Sequence, residues 1–321
     1  MPSPGLDEIV TTTLRYRSGK LRDNMSKNIA LLSRLQEREN VAPVSGGRSI
    51  VEELEYAENS TFMYYSGDET LNVMNSDVFT AAEFDWKQCA VAVKINGLEL
   101  LKNSGREKVI DLLEARIKNA EKTMLNNLST GVYSDGTGTG GKQIGGLQLL
   151  VSDAGTGTVG GINSTTYPFW QNQVYDFSAN GVSASALTIQ DAMNSLYLAT
   201  SRNRDTVDLI VADNTYFGFY WKSLQAIQRV TDDKLASAGF QTLKFMGADV
   251  VFDGGFSGTA PAAHMYFLNT NYIKFRPHRD RNMVPMNPDR FSVNQDAMVK
   301  LIGWAGNMTC SNRSLQGVIV A

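Results

Sequence analysis

Val109, Leu113, Ile117, Ala120, Met124 and Leu128 recur three or four positions apart, the period of an α-helix with one apolar stripe. Glu107, Lys108, Glu114, Lys118, Glu121 and Lys122 occupy the other faces. Ahead of the run, Ser104-Gly105-Arg106-Glu107 reads as a capping box, in which the serine hydroxyl takes an orphan backbone N–H and the glutamate reaches back to the cap residue. Gly131 supplies the stop signal. The pattern predicts one helix over residues 104–131, on the order of 35–40 Å long. A helix of that length is a beam on which other elements rest.

Residues 1 to 20 show no sustained period, and Arg15, Arg17 and Lys20 make them locally basic, as in an arm. From Leu21 the pattern Leu21, Met25, Ile29, Leu32, Leu35 predicts a short amphipathic helix that ends before Pro43 and Gly46-Gly47. Such a helix needs a surface, either on its own domain or on another subunit. Residues 49–86 then carry Glu52, Glu53, Glu55, Glu58, Asp68, Glu69, Asp77, Glu83 and Asp85 without one Lys or Arg. Within them Thr61-Phe62-Met63-Tyr64-Tyr65 has high strand propensity, Ser66-Gly67-Asp68 is a turn signal and Leu71-Asn72-Val73 resumes the alternation. A long hairpin is predicted, and an isolated hairpin is marginal in water, so it must lean on something. Phe84 and Trp86 alternate in one phase, Cys89, Val91, Val93 and Ile95 in the other, which predicts a bulge near Lys87-Gln88.

Beyond the long helix, Gly136, Gly141 and Lys142 are spaced as in a phosphate-binding loop. Gln143 stands where that loop needs a hydroxyl, and the stretch leaves a helix instead of opening one, so a flexible glycine loop is the better reading. Residues 154–162, again glycine-rich, read as a second mobile stretch. Thr188-Ile189-Gln190-Asp191 is a weaker capping box before a helix face of Ile189, Met193, Leu196 and Tyr197. A buried strand over 207–212, a cap at Asp213 or Asn214, a helix over 216–230, a hairpin around 243–252 and strands at 264–268 and 272–275 follow. Such a mixture describes a compact α+β domain over 146–270. Residues 298–310 and 315–320 predict return strands whose partner is the sheet under the long helix.

At 321 residues the chain can bury a substantial core in more than one domain. Its formal net charge of −3 lacks the basic excess of a nucleic-acid reader. No apolar run approaches the roughly eighteen residues of a membrane span, and Met1-Pro2-Ser3-Pro4-Gly5 has neither the basic start nor the apolar centre of a leader. Cys89 and Cys310 lie far apart and read as free thiols. The two histidines, His264 and His278, have no further His or Cys at ligand spacing, and no nucleophile elbow occurs. No metal, cofactor or enzymatic activity is therefore expected, although paired carboxylates in space leave no trace in one sequence. The cluster Arg276-Pro277-His278-Arg279-Asp280-Arg281 is either a solvated loop or a grip for carboxylates, which guanidinium forks hold at two points.

The order of parts, and the strings Trp86-Lys-Gln, Asn96-Gly-Leu-Glu-Leu-Leu-Lys-Asn-Ser-Gly105, Ile110-Asp-Leu-Leu-Glu-Ala-Arg-Ile-Lys-Asn119, Gly141-Lys-Gln-Ile-Gly-Gly-Leu-Gln148 and Gly303-Trp304 through Leu315-Gln-Gly317, resemble major capsid proteins of tailed bacteriophages. The resemblance covers nearly the whole chain. It implies the α+β Hong Kong 97-type fold, with an N-arm (1–48), an E-loop hairpin (49–95), a P-domain with its spine helix (96–145), an A-domain (146–270) and return strands completing the P-domain (271–321). It further implies a non-enzymatic subunit that forms hexameric and pentameric capsomers of an icosahedral virion shell. Assembly in the host cytoplasm, around double-stranded DNA and with a portal and decoration proteins as partners, would follow.

In that scheme the E-loop rests on a neighbouring subunit. Glu52, Glu55, Glu58, Asp68, Glu69, Phe84 and Trp86 are then candidate contacts, with Arg276, Arg279 and Arg281 as their basic partners, while Arg15, Arg17 and Lys20 face the genome. Some members weld subunits through an E-loop lysine, but residues 49–86 hold none, so no covalent mesh is expected. The short stretch ahead of the first helix leaves no room for a scaffolding segment, so a separate scaffold protein is expected; removal of a segment ahead of Met1 would give the same chain. An encapsulin, which encloses cargo enzymes instead of DNA, is the rival within the fold, and a nucleotide enzyme resting on Gly136 to Lys142 the rival outside it.

Overall fold

A computed structural model describes residues 30–102, 112–224, 242–254, 259–291 and 296–321. The beam is present as a helix over Leu112–Gly131 (here α3). Ala120, Met124 and Leu128 are buried along one stripe, and the helix packs on β3 (Lys87–Asn96). Ser104 and Glu107, the expected capping box, lie outside the described residues, and a short helix α2 (Gly97–Lys102) precedes them. Beneath the beam lies a four-stranded sheet built around β13 (Ala297–Cys310). Along one edge β13 pairs with all of β3; along the other it pairs with β11 (Ile273–Pro277) and β12 (Val284–Phe291).

The second sheet has six strands in the order β6 (Gln173–Asp176), β14 (Gly317–Val320), β10 (Met265–Leu268), β7 (Leu209–Ala212), β9 (Ala248–Phe252), β8 (Thr242–Phe245). Helices α4 (Ile189–Thr200) and α5 (Asn214–Ser223) cover one face. Ile210, Ala212, Val250, Met265, Phe267 and Ile319 point into that core. Their neighbours Leu209, Val211, Val251, Tyr266, Leu268 and Val318 point the other way, into a core shared with α3 and the lower sheet. Burial on both faces is why these strands read as continuous apolar runs and not as alternations. It also means that the expected boundary at 145 and 146 separates two sheets but not two cores.

Several local expectations change. The last strand, β14, leaves the sheet under the beam and inserts between β6 and β10, because Ser311 to Gln316 turn the chain across to the upper sheet. Thr188 does not cap α4: its hydroxyl bonds Ser183 O and accepts from Ser185 N, a local alternative that wins over the cap. Asp213 does cap α5, accepting from Tyr216 N at 2.9 Å; the helix runs to Ser223, and residues 225–241 lie outside the described set. The stretch expected to be mobile at 154–162 contains a small hairpin, β4 (Thr158–Val159) with β5 (Ile162–Asn163).

The arm helix, α1 (Ala30–Glu37), rests on its own chain. Leu31 and Leu35 are buried, Arg34 reaches Asp249 at 3.1 Å and Arg38 reaches Asp208 at 3.2 Å. Val41 and Val44 then form parallel bridges to Phe275 and His278 beside β11. The earlier part of that predicted helix and Arg15, Arg17 and Lys20 lie outside the described residues.

The end of the beam is joined to the upper sheet by a buried contact in which Tyr133 Oη donates to Asp253 Oδ2 at 2.5 Å. Burial pushes the Asp253 carboxyl up to about 6, with the tyrosine hydrogen bond opposing. A raised folded-state value means the folded chain holds the proton longer than the unfolded one. Stability contributed here is therefore present below about pH 4 and lost as pH rises to about 6, on the order of 2–3 kcal/mol. Thermal melts of the unassembled subunit across that window should fall with pH, and Asp253→Asn should flatten the slope.

Candidate subunit interface

Strand β1 (Ile50–Glu55) pairs antiparallel with β2 (Phe79–Phe84) as a two-stranded ribbon. The long hairpin predicted from sequence is regular only at this base. Residues 56–78 form an extended loop without strands, tied at its neck by Tyr56 N to Val78 O and Ser60 N to Ser76 Oγ. Strand propensity is a preference for a pleated, half-buried surface, and among the described residues no such surface meets Phe62 to Tyr65. Large apolar side chains along the loop stand in solvent: Phe62 is 75% exposed, Tyr64 91%, Val73 87% and Met74 77%. Glu58, Asp68 and Glu69 sit on the same loop, and Glu55 at its entrance; all are exposed.

The base of the ribbon is the opposite case. Ile50, Leu54, Ala82 and Phe84 are buried in the main core, so Phe84, a candidate contact to another subunit, is spent inside its own. The expected bulge at Lys87 is instead a change of sheet: Asp85 and Trp86 step from β2 to β3, and Asn307 Nδ2 takes the Asp85 carbonyl at 2.9 Å. Trp86 is half-buried, tilted against His278 at 5.3 Å, and its indole N–H donates to Gly47 O.

Glu52 is a second correction. Alternation along β1 turns it inward, where it is 5% exposed. Arg276 Nη2 lies 2.7 Å from Oε1, Lys274 Nζ 3.3 Å from Oε2, and Thr309 Oγ1 donates to Oε1 at 2.9 Å. The acid-to-arginine pairing expected between subunits is thus made, for Glu52 and Arg276, within one chain, because the ribbon lies across β11 and β13. Removing one member of a fully buried ion pair costs about 3–5 kcal/mol, and with two cations that still touch water roughly 2 kcal/mol is expected for Glu52→Gln. Denaturant unfolding of the subunit should show it.

Arg279 is exposed, and Arg281 Nη1 donates only weakly to Gln88 Oε1 at 3.3 Å. Together with Gly46, Gly47, Trp86, Gln88, His278 and Asp280, Arg281 lines an open cleft of about 380 Å³. A neighbouring cleft shares Gly46 and Gly47 and adds Arg48, Ser49, Val51 and Glu83. Among the described residues no group of three His, Cys, Asp or Glu side chains is placed to hold a metal. Gly136 to Lys142 is a tight glycine turn closed by the Asp135 and Gly145 bridge, with Lys87 Nζ donating to Gly141 O at 2.6 Å.

Sequence reasoning missed Arg313. It is fully buried between β13 and β14, donating from Nε to Leu150 O at 2.7 Å, from Nη1 to Trp170 O at 3.0 Å and from Nη2 to Asn172 Oδ1 at 2.8 Å. Its acceptors are neutral, and burial lowers its pKa to about 10. No spacing rule marks it; only its place as the one charged residue after Lys300 sets it apart.

No family model and no curated protein matches the sequence. Solved structures match in fold. A chain of the capsid asymmetric unit of Cyanophage A-1(L) superposes with a TM-score of 0.69 at 17% identity, covering 94% of this chain and 95% of that one. The encapsulin SrpI of Synechococcus elongatus PCC 7942, from its holo complex, gives 0.62 at 8% identity over 100% and 96%. A capsid chain of a native GTA particle gives 0.58 at 13% over 98% and 99%. The two sheets, beam and ribbon therefore compose the α+β, Hong Kong 97-type fold that these capsid and encapsulin chains share.

Proposed function

We propose that the chain is the major capsid protein of a tailed bacteriophage, self-assembling through hexameric and pentameric capsomers into an icosahedral head around double-stranded DNA. The loop at 56–78 carries this reading: it presents a run of exposed apolar side chains that the other described residues do not cover. Burying such surface gains about 25 cal/mol per Å², and a contact repeated around a closed shell multiplies modest gains. In this reading the loop acids Glu58, Asp68 and Glu69, with Glu55, face Arg279 and Arg281 of a second copy, and Trp86 walls the cleft that receives them. Arg15, Arg17 and Lys20 meet the genome through backbone phosphates, independently of sequence. A scaffold protein, a portal and decoration proteins complete the particle, formed in the host cytoplasm.

An encapsulin shell is the second reading, favoured by the full-length match to SrpI. One experiment separates them. Concentrated protein should form icosahedral shells or capsomers by electron microscopy, particles from infected cells should hold nuclease-resistant DNA, and after heating in reductant they should run as monomers, since no lysine lies in 49–86. Particles filled with protein cargo would favour the encapsulin, a ladder of covalent oligomers would remove the uncrosslinked reading, and a dispersed monomer at every concentration would remove both.

A further inference from the structure

The ribbon leaves the body of the protein at one place, and a small hairpin stands against it there. The tip of the β4–β5 hairpin is Gly160-Gly161, both with positive φ, at 59° and 78°. Glu83 N on β2 donates to Gly160 O at 2.9 Å. A Cβ built on Gly160 would lie 2.8 Å from Ala82 Cβ and 3.3 Å from the Phe84 ring, whereas one on Gly161 would meet nothing within 4 Å. Close approach at Gly160 is thus a property of the contact, and positive φ alone is a property of both glycines.

The hairpin is itself braced from behind. Trp170 Nε1 donates to Val159 O at 2.9 Å, and the Trp170 carbonyl is one of the acceptors of the buried Arg313. Phe169, next in the chain, stacks on Tyr56 at 5.3 Å, where β1 gives way to the loop. Two backbone and ring contacts therefore hold the ribbon from the side of the upper sheet, at β2 and at the loop neck, independently of the Glu52 cluster that holds β1 on the lower sheet.

We infer that the β4–β5 hairpin is a strut that fixes the direction in which the ribbon projects, and so the angle at which residues 56–78 are offered to a second copy. The first half of this concerns one chain; the second rests on the shell reading above. Three variants test it: Gly160→Ala, Gly161→Ala as the control for backbone strain, and Gly160→Ala combined with Ala82→Gly, which removes the atom in closest conflict.

On the dispersed subunit, amide exchange at Glu83 should quicken by about tenfold or more in Gly160→Ala, stay near the parent rate in Gly161→Ala and return toward it in the double variant. Unchanged protection in Gly160→Ala, or equal loss in Gly161→Ala, would overturn the strut. On assembled material, Gly160→Ala should give particles of mixed diameter and the double variant uniform ones; uniform particles of parental diameter despite faster exchange would overturn the link to angle. Should the parent form no particles, the shell reading fails while the exchange result still decides the strut.

Discussion

Arg313→Met is expected to lower the stability of the unassembled subunit by about 4 kcal/mol, from the loss of a buried charged donor set and the carbonyls it leaves unpaired. Its acceptors lie on two separate pieces of chain: the end of the short helical turn at Leu150, and the aromatic turn with Trp170 and the side chain of Asn172. Methionine fills much of the volume but donates nothing. Lysine keeps the charge yet cannot present the same planar fork, so Arg313→Lys should recover less than half of the loss. Denaturant melts of both variants, compared with the parent, decide this; a methionine variant within about 1 kcal/mol of the parent would show that the carbonyls find other donors. Burial lowers the guanidinium's pKa to about 10, so the group stays charged at neutral pH.

The second large effect falls on assembly and not on folding. Replacing Phe62, Tyr64 and Tyr65 together by serine should leave the melting temperature of the subunit within about 2 °C, because exposed side chains away from special features change stability little. Shell formation should be lost or need at least tenfold more protein, the equivalent of about 1.4 kcal/mol per contact. The reciprocal change, Arg279→Glu with Arg281→Glu, should weaken assembly in a salt-dependent way, charged rims acting through rates and orientation. Sedimentation and negative-stain microscopy across protein concentration read both. Shells of normal yield from the triple serine variant would mean that the loop is covered by something other than a second copy.

What the sequence made legible was whatever has a period or a punctuation mark. The stripe Ile117, Ala120, Met124, Leu128 gave the beam, and the hairpin expected around 243–252 is present as β8 and β9, turning at Met246-Gly247, both at positive φ. Glu52 was legible in principle: the alternation Ile50, Glu52, Leu54 places it on the inward face, but among nine acids without a base it reads as one more contact to a neighbouring subunit. Thr61 to Tyr65 misled because propensity describes a fit to a surface, and the sequence does not say whose. Arg313, Asp253 and Gly160 could not be found at all, for each is defined by atoms more than fifty residues away that only the folded chain brings near.

The ladder between β3 and β13 joins segments about two hundred residues apart. Contacts of such separation are slow to close, and a ribosome adds only about 5–20 residues each second. The beam consequently rests on an unpaired β3 until nearly the last residue has been made, and during synthesis the aromatic loop belongs to an unfinished body. Under the shell reading proposed above, a truncated product would offer that loop without the platform needed to join a lattice, and the topology would act as quality control on what enters the particle.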